Sequence, residues 1–264
     1  DGNQDMNRLN QEMYITWMEG FGPMDVTNSA DDIINLYVGN TRTNSKSKKY
    51  GGAIFVAGMN TNVENSKFNN VRTGDDGQGG AIYIEGASAK VSESEFENTH
   101  AHDGGAIDIE GNDSKIENVD IVSSYATNNG GAIYVEGDNV SIADSKFITF
   151  SASDKGGVIY VAGDDLSIEA CRFQYGSSVD GGAIFIEGSN TIITRSNFLN
   201  IGAEKGFDLN YTTSGGAVYI AGSKSTVSNV DFENNTAKTS AGAIYVSGDD
   251  TIITESNFTN NTAY

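Results

Sequence analysis

The chain has 264 residues, with 16 Lys plus Arg against 36 Asp plus Glu and a formal net charge of −20. That balance excludes nucleic acid and anionic membrane as partners, because both surfaces repel it. Thirty-two glycines against the single proline Pro23 exclude collagen and Pro-rich linkers, and point to one tight bend used many times.

Residues 1–50 read as an N-terminal cap or docking segment with a partial first coil. They hold the Met- and aromatic-rich stretch Met13 to Gly22, the strand-like stretch Ile33 to Val38 and a basic turn from Lys46 to Lys49. From residue 51 a glycine-rich octapeptide recurs eight times, starting at Gly51, Gly79, Gly104, Gly130, Gly156, Gly181, Gly215 and Ala241. With that first residue as position 1, position 18 is Phe68, Phe96, Ile121, Phe147, Phe173, Phe198, Phe232 and Phe258. The offset never varies, so length differences fall between position 18 and the next glycine pair, which is expected to be a tolerant surface turn.

Positions 4 and 6 are aliphatic in every copy, as in Ile54/Val56 and Ile133/Val135, which predicts a strand with that side turned inward. Position 13 is always Val or Ile, and with position 18 it marks a second inward-facing run. Position 8 is always glycine (Gly58, Gly86, Gly111 and their equivalents), read as a turn that needs positive φ.

About 26 residues of short strands and fixed turns describe one coil of a β-solenoid. The expected fold is all-β, a right-handed parallel β-helix of about eight coils over residues 51–264. One coil buries too little to fold alone, so stability must come from stacking. Eight coils at ~4.8 Å make a rod roughly 38 Å long. The chain stops near where the next Gly-Gly would begin, so the last coil is expected to meet either further repeats or another subunit. The latter would build a head-to-tail filament or sheath.

The combination of Gly-Gly-Ala-Ile with Ser256-Asn-Phe-Thr-Asn-Asn-Thr-Ala263 resembles the repeats of chlamydial polymorphic outer-membrane proteins and of adhesin-like surface proteins of methanogenic archaea. The Phe-x-x-Asn element is complete at Phe232/Asn235 and Phe258/Asn261. The resemblance implies an extracellular or cell-surface protein, used for adhesion or as a scaffold. Its partners would be itself, by end-to-end or lateral stacking, or a glycan or protein on a host or neighbouring cell. Neither nucleic-acid binding nor direct membrane insertion is expected. No membrane barrel follows the repeats, so the expectation does not extend to an autotransporter route.

Strand alternation turns position 5 outward: Phe55, Tyr83, Asp108, Tyr134, Tyr160, Phe185, Tyr219 and Tyr245. Its seven aromatics either stack on one another and stiffen the rod, or form a face for a partner or sugar. At the adjacent turn, Glu85, Glu110, Glu136 and Glu187 fall in one row, with Asp138, Asp164, Asp165, Asp249 and Asp250 nearby. Glu110, Glu136, Asp138, Asp164 and Asp165 are candidate ligands for weakly held Ca²⁺, the one cofactor considered, since rows of like charge call for screening.

Asn-x-Ser/Thr sequons at Asn112, Asn139, Asn210, Asn234, Asn257 and Asn260 are candidate glycosylation sites, and Asn210 lies in the longest turn, Ile201 to Ser214. His100 and His102 lack further metal ligands at a defined spacing, and Cys171 reads as an inert packed thiol. A β-helix lyase or hydrolase places several Asp, or Asp with Arg or Lys, on one outer strand face within a long-loop cleft. Here that face repeats Ala and Tyr, with Asp108 the one charged break, so no enzyme is expected.

Overall fold

The computed structural model describes residues 50–202 and 214–264, together with the backbone of the strands Met13–Thr16, Met24–Val26, Ile33–Ile34 and Leu36–Gly39. No helix occurs among the described residues. The chain winds as a solenoid in which each coil contributes one strand to each of three parallel sheets. The first sheet takes positions 4–6, from Ile54–Val56 to Ile244–Val246. Positions 12–14, Asn62–Glu64 to Ile252–Thr254, form the second, and the third begins at positions 17–19, Lys67–Asn69 to Asn257–Thr259.

Register is constant from coil to coil, so each residue lies over its own counterpart. Ile107 pairs with Ile82 and Ile133, and Phe147 pairs with Ile121 and Phe173. A slip by one residue would turn every inward side chain out, and this pins the register. The core is a set of like columns. In the phenylalanine column the rings stack at 4.7 Å (Phe68 and Phe96), 5.0 Å (Phe147 and Phe173), 4.6 Å (Phe173 and Phe198), 4.9 Å (Phe198 and Phe232) and 5.0 Å (Phe232 and Phe258). This spacing is the inter-strand distance itself, so the backbone ladder holds the rings at stacking separation.

Three corners per coil carry left-handed residues at positions 10, 15 and 20, such as Asn60, Asn65 and Asn70 in the first coil and Asp165, Ala170 and Tyr175 in the fifth. Asn and Asp predominate there because their side chains tolerate this conformation. The first glycine of each pair supplies a fourth such corner, for example Gly156 at φ 62°.

The position-8 glycines were expected to serve the same purpose, but they do not have positive φ. They are required by close approach, since a Cβ on Gly188 would overlap the carbonyl oxygen of Gly163 in the coil below. Sequence reasoning found the invariant glycine but assigned it the wrong cause, because a φ requirement and a packing requirement leave the same letter.

The segment after position 18 also departs from the expected loose turn. In the third to fifth coils it continues the third sheet, as Asp120–Ala126, Lys146–Ala152 and Arg172–Ser177. Position 21, the next inward residue, is a further core column that varies in type: Val71, Thr99, Ser124, Phe150, Gly176, Ile201, Asn235 and Asn261. A column of changing composition leaves no periodic signal, so it was invisible in the sequence.

The sheets do not end at residue 51. Met24–Val26 pairs with Ile54–Val56, Ile33–Ile34 with Asn62–Glu64 and Leu36–Gly39 with Lys67–Asn69. Met13–Thr16 adds one more strand beside Leu36–Gly39. A coil without the Gly-Gly-Ala signature therefore precedes the first recognisable repeat.

Candidate functional site

The outer face of the first sheet carries most of the candidate residues. Position 5 points away from the core as expected, yet the rings do not form an open stripe. Tyr83, Phe185 and Tyr160 are only 3–7% exposed, and Phe55, Tyr134, Tyr219 and Tyr245 are half-buried. Each ring lies on its neighbour: Phe55 on Tyr83 at 5.4 Å, Tyr134 on Tyr160 at 4.9 Å and Phe185 on Tyr219 at 4.7 Å. Tyr50, just before the first glycine pair and absent from the sequence reading, packs on Tyr83 at 4.4 Å. Of the two alternatives, coil-to-coil stacking is the one the geometry displays, and within each stacked run only ring edges are left exposed, with the row interrupted at Asp108.

The adjoining glutamates belong to this column. Tyr134 donates its hydroxyl hydrogen to Glu136 at 2.9 Å and Tyr160 donates to Glu187 at 2.7 Å, while Glu110 is the carboxylate that acts on Tyr83. Burial, reinforced by these carboxylates, pushes the three phenols above their ordinary range, so they act as donors at any physiological pH. Lys155 donates to Glu187 at 2.7 Å while its Nζ lies 4.6 Å from the Phe185 ring centre. Burial alone would raise the Glu187 carboxyl, but hydrogen bonds from Lys155 and Tyr160 hold it below its usual value.

The acidic turns are not gathered into a metal centre. Among the described residues, no group of three or more His, Cys, Asp or Glu is arranged to hold a metal ion. The aspartates instead accept backbone hydrogen bonds from the next coil: Asp138 from Asp164 N at 2.9 Å, and Asp164 from Ser189 N at 2.7 Å. Asp165 accepts from the Asn190 amide at 3.1 Å. Glu136 is engaged by Tyr134, so four of the five candidate Ca²⁺ ligands, Glu136, Asp138, Asp164 and Asp165, accept hydrogen bonds within the stack, and the fifth, Glu110, lies near Tyr83. Backbone N–H groups of the neighbouring coil stabilise Asp138 and Asp164 by hydrogen bonds, without removing their charge.

The sequons are similarly engaged. Asn112 Oδ1 accepts from Asp138 N, while Asn139, Asn234 and Asn257 donate to Asp113, Glu233 and Asp231. Asn260 is exposed at a left-handed corner, and Asn210, with most of the longest turn, lies outside the described residues. His100 stacks on Tyr125 at 5.1 Å, and His102 contacts Thr127 at 3.0 Å, so these two imidazoles serve packing. Cys171 sits in a column of serine hydroxyls, and burial pushes its thiol up to about 12.

The Phe-x-x-Asn element acquires a physical meaning. Asn235 is fully buried. Its amide donates to the Phe198 carbonyl at 3.1 Å and to Asn261 Oδ1 at 2.9 Å, while its own oxygen accepts from Ile201 N at 3.0 Å. Asn261 repeats the pattern one coil on, donating to the Phe232 carbonyl at 2.9 Å. The asparagine fastens the end of the third-sheet strand to the phenylalanine of the coil before.

Comparison with known families agrees with this architecture. The model of the right-handed beta helix region matches residues 51–216, more than half of the chain, and the chain belongs to that family. The Chlamydia polymorphic membrane protein repeat matches residues 229–247, the stretch containing Phe232 and Asn235. No curated protein and no solved structure matches the chain.

Proposed function

We propose that this chain is a non-enzymatic, extracellular β-solenoid surface protein that serves as an adhesin or structural scaffold. The observation that carries the reading is how the outward side chains are used. Ring stands on ring, and aspartate accepts from the coil above, so chemistry is repeated along the rod. A reaction centre instead needs unlike groups converging on one point. Surface placement draws support from the Chlamydia polymorphic membrane protein repeat at 229–247.

The test is binding of the purified chain to arrayed glycans and to intact cells. Saturable binding is expected, and it should weaken when residues 201–214 are deleted or when Tyr134, whose ring is half-buried, becomes alanine. Rods longer than one solenoid in electron micrographs would assign the chain to a self-stacking filament instead. Cleavage of a polysaccharide by the purified chain would overturn the non-enzymatic reading.

A further inference from the structure

The aromatic column on the outer face of the first sheet is interrupted once, in the third coil, where Asp108 pairs in register between Tyr83 and Tyr134. The rings stack below the break and again above it, and no ring contact joins Tyr83 to Tyr134. With Asp108 between them, those two residues are two strand spacings apart, roughly 9.6 Å. Elsewhere that distance holds one intervening ring, so the column lacks one planar layer at this point.

The carboxylate at the base of that layer is unexplained by the fold. Asp108 is 0% exposed, and neither of its oxygens has a hydrogen-bond partner. A buried polar group without a partner is costly, and it calls for a ligand or another reason to persist. Asp103, Glu110 and Glu136 face Asp108 as further acidic groups, and Tyr83 and Tyr134 flank it. Asp103 is occupied by Asn128 and Asn129, each at 2.9 Å, and Glu136 by Tyr134. The Glu110 carboxylate lies close enough to raise the pKa of both Tyr83 and Asp108.

The same face shows how it accommodates positive charge. Two coils further on, the Lys155 ammonium lies over the Phe185 ring and reaches Glu187. In the third coil the residue equivalent to Lys155 is Asp103, so no ammonium stands at that position, and His102 lies 3.8 Å from the Asp103 carboxylate.

We propose that the break at Asp108 is a receptor slot for one planar cation, the guanidinium of an arginine side chain presented by a protein partner. The guanidinium takes the place of the missing ring between Tyr83 and Tyr134, and its paired N–H groups meet the Asp108 carboxylate in a fork. Tyr83 is only 3% exposed, so its ring turns aside as the guanidinium enters. Without a cation, burial and the facing acids keep Asp108 protonated, so the cation replaces a proton and binding strengthens as pH rises. A metal ion fits less well, because the carboxylates here do not converge as ligands. The site does not depend on the adhesin or scaffold reading.

The experiment titrates the purified full-length chain with N-acetyl-arginine amide, with the lysine amide and a neutral hexose in parallel, followed by NMR of the tyrosine rings. Saturable binding of the arginine amide is expected, with Tyr83 and Tyr134 resonances shifted and the lysine amide about tenfold weaker. Asp108→Asn, which keeps the shape, should weaken binding about tenfold. Asp108→Tyr, which places in the third coil the residue its neighbours already carry, should abolish it. Absence of saturable binding, equal uptake of the lysine amide or hexose, or binding that persists in Asp108→Tyr would overturn the proposal.

Discussion

Asp108 shows what one side chain does when its surroundings withhold every partner. Its pKa stands well above the usual carboxylate value because of burial first, and then because Glu110, Asp103 and Glu136 face it. The folded chain therefore holds a proton that the unfolded chain releases near pH ~3.9. Between that value and the raised one, stability falls as pH rises, by about 1.4 kcal/mol per pH unit. Asp108→Asn removes this loss. Its urea midpoint should exceed the parent's at about pH 7, and the gap should narrow toward about pH 3 as both states of the parent become protonated. A variant less stable than the parent at neutral pH would show that the carboxyl has a stabilising partner. The residue was legible in the sequence as the one charged break in an aromatic row, but its burial and lack of partners were not. Alternation tells which way a side chain points, and not whether its neighbours close over it.

Within the elements, stability resides in columns that cross coils. Phe173 lies between Phe147 and Phe198 and is fully buried, so Phe173→Ala leaves a ring-sized void that rigid neighbouring strands cannot close. A loss of about 3–5 kcal/mol is expected in chemical denaturation. Phe258→Ala, at a position 50% exposed and stacked only on Phe232, should cost less than half as much. Equal losses would mean that the column does not act as a packed unit. Alternation made these inward positions plain from the sequence. Position 21 was not plain, because Thr99, Phe150 and Asn235 share a place in the coil and no chemical property.

For the whole molecule, charge is the dominant unbalanced quantity. The ion pairs Lys67–Glu95, Lys90–Glu117 and Lys146–Asp120 lie on the surface, where each contributes little. The net −20 already counts every Lys and Arg, so these pairs leave all of it uncompensated along the rod. Self-repulsion of this kind is screened over a Debye length of about 10 Å at 0.1 M salt. Raising sodium chloride from about 0.02 to 0.3 M should therefore raise the melting temperature by roughly 2–4 °C. A fall would indicate that attractive pairs outweigh the repulsion.

By itself, the sequence determined the coil: its period, its inward positions other than position 21, its register and so its stacking. These follow from spacing, and a repeated letter at a constant offset has one self-consistent arrangement when like must lie on like. Only the tertiary structure decided what the repeats do to one another across the 4.8 Å gap. It showed that Gly188 is needed for close approach, that Asp138 and Asp164 in the acidic turns accept backbone N–H groups of the next coil, and that Asp108 is sealed without a partner. Each of these depends on distances between residues about 26 positions apart, and on whether a third residue shields them, which no pattern along one coil records.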